Sequence, residues 1–185
     1  EVYVASRSRF DKEPGIDNKY NHLILLAKDN IGYKNLSKLV SLGFTEGFYS
    51  KPRVDRETLE KYHGGLIALS ACLAGEIPTA LLNNDYEAAL KTALWYKNIF
   101  GEQNYFLEVQ NHGLPEQQKV NSYMQQLSRD TGIPLVATND VHYIEKDDSF
   151  MHKVLLCIQT GTKIGDKNTL EFKTDEFYIK SEEEM

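Results

Sequence analysis

The chain has 185 residues, of which 41% are hydrophobic, so it is long enough to bury the core of one globular domain and too apolar for a disordered chain. Its formal net charge of −6 argues against a broad basic surface for nucleic acid, although a local site that handles phosphates through metal ions stays open. The two cysteines, Cys72 and Cys157, lie in dissimilar sequence contexts and do not suggest a disulfide framework. We therefore expect the protein to reside in a reducing cytoplasm. The sequence shows neither a membrane-spanning run nor a signal peptide, so we expect no membrane partner.

The first half of the chain alternates strand-like apolar runs with helical patterns. The predicted strands are residues 2–5, 23–27 and 65–69. Apolar side chains at helical spacing over residues 33–40 predict one helix, and Asp55 is a good N-cap for a second helix that reaches Tyr62. Residues 6–21 and 43–51 are predicted loops.

The second half continues the alternation. Helices are predicted over residues 74–83, over 86–100 before Gly101, from Pro115 to Gly132, and from Asp147 or Asp148 to Ile158. Residues 105–109 form a predicted strand, residues 135–137 another, and residues 170–180 two short ones. This alternation predicts an α/β fold with a largely parallel sheet.

The stretch IPLVATNDVHY, residues 133–143, combines an apolar run with polar donors. The continuous apolar run predicts a buried strand of a parallel sheet, and ligands gather at the carboxyl ends of such strands. Asp140 and His142 stand there, two residues apart, so in extended chain they point the same way and can face one metal ion. The alternative is a turn aspartate followed by a surface histidine.

Further donors stand at the edges of other predicted strands, namely Glu1, His22, Cys72 and His112. Strand ends that meet at one rim would bring carboxylate, thiolate and imidazole together, a set that binds zinc, manganese or iron. Each donor has a structural alternative: an exposed first residue for Glu1, a loop residue for His22, a small buried hydrophobe for Cys72 and a turn residue for His112. His22 precedes its predicted strand, so either that strand is antiparallel or His22 is not a ligand.

The remaining histidines are interpreted as structural, His63 at a helix end and His152 inside the last helix. Clustered Asp, Glu and His without a nucleophilic serine, a Gly-rich phosphate loop or an HExxH motif favour metal-assisted hydrolysis.

Several blocks, in one order along the whole chain, carry a family resemblance. They read EVYVA, HLILLAKDNIGYKNL, EGFYSKPRVD, GLIALSACLAGEIP, FLEVQNHGLPEQQKVN, PLVATNDVHY, HKVLLCIQTG and FYIKSEEEM. With these blocks the chain resembles the PHP (polymerase and histidinol phosphatase) domains of bacterial DNA polymerase III alpha subunits.

The resemblance implies part of a distorted (β/α) barrel with a metal cluster, of zinc or manganese, at one rim. It implies a metal-dependent 3′–5′ proofreading exonuclease in members that keep all ligands, and a structural role in others. Glu1 corresponds to the glutamate of the family's Gly-x-Glu motif, His22 and Cys72 to further ligand positions, and Asp140 and His142 to the final Asp-x-His pair. His112 and Arg53 lie in family blocks and are expected to contact substrate phosphates, with His112 or His142 as candidate proton shuttles.

The chain departs from the family pattern at its start, because the His-x-His and Asp-His-Gly motifs that precede the Gly-x-Glu block are missing. The resemblance therefore implies a truncated PHP domain over residues 1–160 and the start of a connection to a polymerase body over residues 161–185. It also implies exposed apolar surface, an unpaired sheet edge and self-association. The expected partners are DNA, reached through the full-length polymerase, and other replisome subunits.

Three functions remain open. The favoured one is a part of a metal-dependent phosphodiesterase, and ligand-type residues at every matched position favour an active parent. The second is a catalytically silent domain that buttresses the polymerase, with any metal acting as a clamp. The third is a small-molecule phosphoesterase of the same superfamily, against which the tail FYIKSEEEM argues.

Overall fold

One sheet of seven strands organises the chain in the computed structural model, which describes residues 1–167 and 169–185. The strands are β1 Val2–Ala5, β2 Tyr20–Ala27, β3 Phe48–Tyr49, β4 Lys51–Val54, β5 Leu66–Leu69, β6 Tyr105–Val109 and β7 Leu135–Ala137. Their order across the sheet is β3-β4-β1-β2-β5-β6-β7. Strands β1, β4, β5, β6 and β7 share one direction, whereas β2 and β3 run antiparallel to their neighbours. The prediction of an α/β fold with a largely parallel sheet is confirmed.

In the described part of the chain, six α-helices connect and cover the strands. They are α1 Asn30–Thr45, α2 Arg56–Tyr62, α3 Glu76–Leu82, α4 Tyr86–Phe100, α5 Pro115–Thr131 and α6 Ser149–Thr160. The predicted boundaries hold where the sequence carries cap residues: Asp55 caps α2 with a full capping box, and Gly132 ends α5 in the left-handed conformation. Across the described ranges, no helix is both long and apolar enough to cross a bilayer.

The core lies on one face of the sheet. Val2 and Val4 of β1 and Leu23 and Leu25 of β2 are buried there against helical side chains. The residues that alternate with them face the other way, where Leu26 is 48% exposed. Strands β3 and β7 stand at opposite ends of the strand order, so the sheet is open within the described ranges. The expected apolar exposure and sheet edges are therefore present, while self-association through them stays a prediction.

Three expectations from the sequence are wrong. Residues 43–51, predicted as a loop, contain β3 and the start of β4, because Phe48 and Tyr49 pair with Pro52 and Lys51 in a tight hairpin. Strand β7 is not buried: it pairs with β6 at the edge of the sheet, and Leu135 is 38% exposed. Residues 170–180 form no strand among the described residues.

The segment after α6 nevertheless contacts the loop that follows β7. The Phe177 carbonyl accepts hydrogen bonds from the His142 and Tyr143 N–H groups, at 2.8 and 3.3 Å, and Ile179 N–H donates to the Ile144 carbonyl at 3.1 Å. These isolated bonds hold the segment, which bends at residues 173–175, without building a ladder. Asn168, within the predicted 161–185 segment, lies outside the described residues, and the division at residue 160 stays a prediction.

Asp55 fastens the loop before β2 to the start of α2. Its carboxylate accepts the Arg9 N–H at 2.9 Å and the Thr58 N–H at 3.1 Å, and it forms an ion pair with the Arg9 guanidinium at 3.1 Å. Burial works to raise the pKa of Asp55, but these hydrogen bonds and the Arg9 charge outweigh it and hold the pKa below its usual value.

We expect Asp55 to make the fold acid-sensitive. Because its pKa is lower in the folded than in the unfolded chain, its contribution is complete above about pH 4, where an unfolded aspartate titrates, and is lost as the pH falls through the folded pKa. Urea unfolding from pH 7 to pH 3 should therefore show a shallower acid loss of stability for Asp55→Asn than for the wild type. Asp85→Asn, at the exposed N-cap of α4, is the control. An equal acid slope for wild type and Asp55→Asn would contradict this assignment.

Candidate metal centre

Three donor side chains meet at one rim of the sheet. Single ligand atoms of Glu1, His22 and Cys72 all lie within 4.8 Å of one another. His22 Nδ1 is 3.0 Å from a Glu1 carboxylate oxygen and 3.6 Å from Cys72 Sγ. The set combines a carboxylate, an imidazole and a thiol, which are the ligand types of zinc and of other borderline transition metals.

The direction of β2 explains how His22 meets Cys72, and the register of β1 on β2, with Val2 opposite Leu23, brings Glu1 beside His22. Glu1 precedes β1, His22 lies opposite Tyr3 in the antiparallel β1–β2 pair, and Cys72 follows β5. Since β2 runs antiparallel to its neighbours, its beginning lies at the same rim as the end of β5. The antiparallel alternative for the strand of His22 is confirmed. The His22 N–H donates to the Ala74 carbonyl at 3.0 Å, which ties this strand to the Cys72 loop.

Asp140 and His142 lie in the neighbouring loop after β7. Asp140 and Cys72 line one cleft of about 400 Å³, whose other walls include Phe172 and Phe177. His142 turns aside: its Nδ1 is 2.7 Å from the Asp140 carbonyl, and its ring centroid is 4.6 Å from that of Phe172. Within the described ranges, the compact donor group thus contains three of the five predicted ligands, and Asp140 shares a cleft with one of them, Cys72.

The surroundings of the three donors carry negative charge. Burial, together with the carboxylates of Asp140 and Glu1, raises the pKa of the Cys72 thiol to about 11. Burial also raises the pKa of Glu108, and the same two carboxylates add to that shift. A bound cation would offset the repulsion among these carboxylates, and it would also favour the thiolate form of Cys72. The donor types and their electrostatics therefore fit a divalent metal ion.

His112 has a different place from the one predicted. Its side chain is fully buried, with Nε2 2.7 Å from the Asn139 carbonyl and Nδ1 2.7 Å from the Gln117 amide nitrogen. This pairing fits the tautomer that donates from Nε2 and accepts at Nδ1. The expectation of a substrate contact or proton shuttle is corrected, because neither nitrogen is open to a ligand.

Arg53 is corrected in the same way. Its side chain is fully buried, and its guanidinium donates to the backbone carbonyls of Arg9, Asp11, Asp17 and Gly47 over 2.6–3.1 Å. Three of these bonds hold the loop between β1 and β2, and the fourth reaches the residue before β3. Arg53 therefore stabilises the fold and does not present its charge to a phosphate.

The sequence interpretation overlooked Glu108, which lies in β6 and is 5% exposed. Its carboxylate accepts hydrogen bonds from the Ala71 N–H and, at 2.7 Å, from Thr138 Oγ1. The available signal was a lone carboxylate inside the apolar strand YFLEV, since a buried acid must be paired or hydrogen-bonded.

Comparisons with known proteins show the family of the chain. A family model described as PHP domain matches residues 1–112, which is more than half of the chain. The chain belongs to the PHP domain family. In this PHP domain, the match covers Glu1, His22 and Cys72 and ends before Asp140 and His142.

Curated relatives extend the similarity over the whole chain. It is 52% identical to the DNA polymerase III subunit alpha of Treponema pallidum and 47% identical to that of Borreliella burgdorferi, each aligned over 186 residues that cover 100% of this chain and 16% of the relative. It is 49% identical to the DNA polymerase III subunit alpha of Thermus aquaticus, of which it covers 15%. This PHP domain thus spans about a sixth of the length of these relatives.

Proposed function

We propose that this PHP domain belongs to a bacterial DNA polymerase III alpha subunit and supplies a metal-dependent phosphodiesterase, a 3′–5′ proofreading exonuclease. The observation that carries the proposal is the meeting of Glu1, His22 and Cys72 at the rim where Asp140 also faces the cleft. The whole-chain similarity to these polymerase subunits supports the replication context. The partners would be DNA and other replisome subunits, in the bacterial cytoplasm.

In this mechanism the side chains of the rim divide the work. Glu1, His22 and Cys72 would hold a zinc or manganese ion, with Asp140 and His142 of the neighbouring loop as the further candidate ligands of the centre. A bound divalent ion lowers the pKa of water and neutralises phosphate charge. The cleft of about 400 Å³ lies within the size range of small-ligand sites, and its Phe172 and Phe177 walls would exclude water around a terminal nucleotide.

A structural role is the second candidate, and one observation favours it. The three-donor group joins the start of β1, the start of β2 and the end of β5, while His142 faces Phe172 instead of the donors. A metal held there would clamp three strands of the sheet without any reaction. A small-molecule phosphoesterase is the weaker third candidate, since the similarity to polymerase subunits spans the whole chain.

Digestion of a 5′-labelled single-stranded oligonucleotide by the native protein tests the proposal. We expect 3′–5′ shortening that stops with a chelator, returns with zinc or manganese, and falls at least about 10-fold in Asp140→Asn, because even indirect partners of a metal are worth about that much. Asp147→Asn, in the exposed turn before α6, is the control. Metal binding without any cleavage would establish the clamp instead, and cleavage of phosphomonoesters alone would establish the third candidate.

A further inference from the structure

A buried carboxylate joins the two loops that carry Cys72 and Asp140. We propose that Glu108 is a positioning residue, which braces these two loops at a fixed separation so that their donors can share one metal centre. The inference rests on the proposed function for its effect on metal binding, whereas the brace itself is a property of the fold.

The contacts of Glu108 reach both loops at once. One carboxylate oxygen accepts the N–H of Ala71, the residue before Cys72, and the other accepts the hydroxyl of Thr138, two residues before Asp140. Glu108 itself lies in β6, between β5 and β7, whose ends carry the two loops. A carboxylate has two acceptor oxygens and no donor, so it suits a position between two donors.

Both loops hold a residue in an unfavourable backbone conformation. Ala71 has φ of +65° and Asp140 has φ of +44°, in the left-handed region that residues with a side chain seldom adopt. Such conformations persist only where the surrounding contacts hold them. Glu108 supplies one such contact directly at Ala71 and another close to Asp140.

A wider polar network supports the loop that carries Asp140. Gln110 Nε2 donates to Thr138 Oγ1 at 3.1 Å, and His112 Nε2 meets the Asn139 carbonyl at 2.7 Å. The polar side chains of β6 and of the loop after it thus hold the segment from Thr138 to Asn139. The buried His112 therefore has a structural role, the support of the loop that carries Asp140.

Two substitutions distinguish the hydrogen-bonded link between the two loops from the negative charge of Glu108. In Glu108→Gln, the amide oxygen can still accept the Ala71 N–H, and the amide nitrogen can donate to Thr138 Oγ1, so the link is kept while the charge is lost. In Glu108→Ala both links are lost. Ser70→Ala is a matched control, because Ser70 Oγ accepts the Glu108 N–H at 2.8 Å and its loss removes a buried bond of the same strand without opening the brace.

Cobalt(II) binding to the native protein is the first readout. We expect Glu108→Ala to weaken Co²⁺ binding by about 10–100-fold, the range for outer partners of metal ligands, and to change the thiolate-to-cobalt absorption of Cys72. Glu108→Gln and Ser70→Ala should keep the wild-type spectrum. An equal loss in Glu108→Gln and Glu108→Ala would overturn the brace in favour of a purely electrostatic effect, and an unchanged Glu108→Ala would overturn it outright.

Amide hydrogen exchange of the metal-free protein is the second readout, and it separates a failure of this inference from a failure of the proposed function. The brace predicts that in Glu108→Ala the amides of residues 71–74 and 138–142 exchange faster together. If Glu108→Ala does not fold, Thr138→Val should show the same pattern. Ser70→Ala should leave both segments unchanged. If the wild type binds no metal, the proposed function fails, and the exchange pattern still decides the brace. Loosening of one segment alone would contradict it.

Discussion

Replacing His22 by glutamine is expected to lower the affinity of the native protein for zinc by more than about 10-fold, since even residues that only support a ligand are worth about 10–100-fold. His22 Nδ1 lies within 3.6 Å of both Glu1 and Cys72 donor atoms, so it is the central member of the group. Glutamine keeps a polar side chain of similar size while it removes the imidazole ligand. Competition against a chelating dye measures the change.

His63→Gln is the matched control for this experiment. His63 is the C-cap residue of α2, and its Nδ1 lies 2.7 Å from the Glu60 carbonyl in a contact that involves α2 alone. This variant should keep the wild-type zinc affinity. Equal zinc affinities for wild type and His22→Gln would show that the imidazole is not a ligand, and the donor group would then be a hydrogen-bonded cluster.

Arg53→Met is expected to destabilise the fold by at least about 3 kcal/mol, because an unsatisfied buried polar group costs about 1–3 kcal/mol and the carbonyls of Arg9, Asp11 and Asp17 lose their donor. For a chain of this size, about 2–4 °C of Tm accompany each kcal/mol, so the Tm should fall by about 6–12 °C. Thermal unfolding followed by circular dichroism measures the shift.

Arg129→Met, on the exposed side of α5, provides the control and should change the Tm by little. The two interpretations of Arg53 give opposite results. A substrate contact predicts a normal Tm with weakened DNA binding, whereas a buried fastener of the β1–β2 loop predicts a lowered Tm. The first outcome would restore the phosphate role that the buried position argues against.

Much of the fold could be predicted from the sequence, because the relevant signals are local. The capping box of Asp55 and the left-handed Gly132 set helix ends that depend on a few neighbouring residues. Short apolar runs such as residues 66–69 mark strands wherever they lie in the sheet. Local patterns therefore located β5 and the four longer helices, α1, α4, α5 and α6.

The arrangement of the strands depends on contacts between distant residues, and there the sequence was insufficient. The apolar run of β7 would look the same in the centre of a sheet as at the edge where it lies. The direction of β2 is set by its pairing with β1 and β5, not by its own residues. Residues 170–180 have the composition of strands but meet their neighbours through isolated hydrogen bonds.

The same distinction between local signals and contacts of distant residues applies to the candidate site. Glu1, His22 and Cys72 were found because few residue types bind metals and these stand at strand ends. His112 and Arg53 belong to equally suggestive types, but their burial follows from packing that no local pattern reveals. Glu108 was missed because a carboxylate in a strand gains meaning only when the loops beside it are known.

Metal content of the native protein, measured by elemental analysis after purification without added metal, tests the central claim most directly. We predict at least one zinc or manganese ion per chain in the wild type and a marked loss in His22→Gln, with His63→Gln unchanged. A wild-type protein that contains no transition metal, and takes up none when zinc or manganese is supplied, would contradict the metal centre. The group of Glu1, His22 and Cys72 would then be a hydrogen-bonded element of the fold.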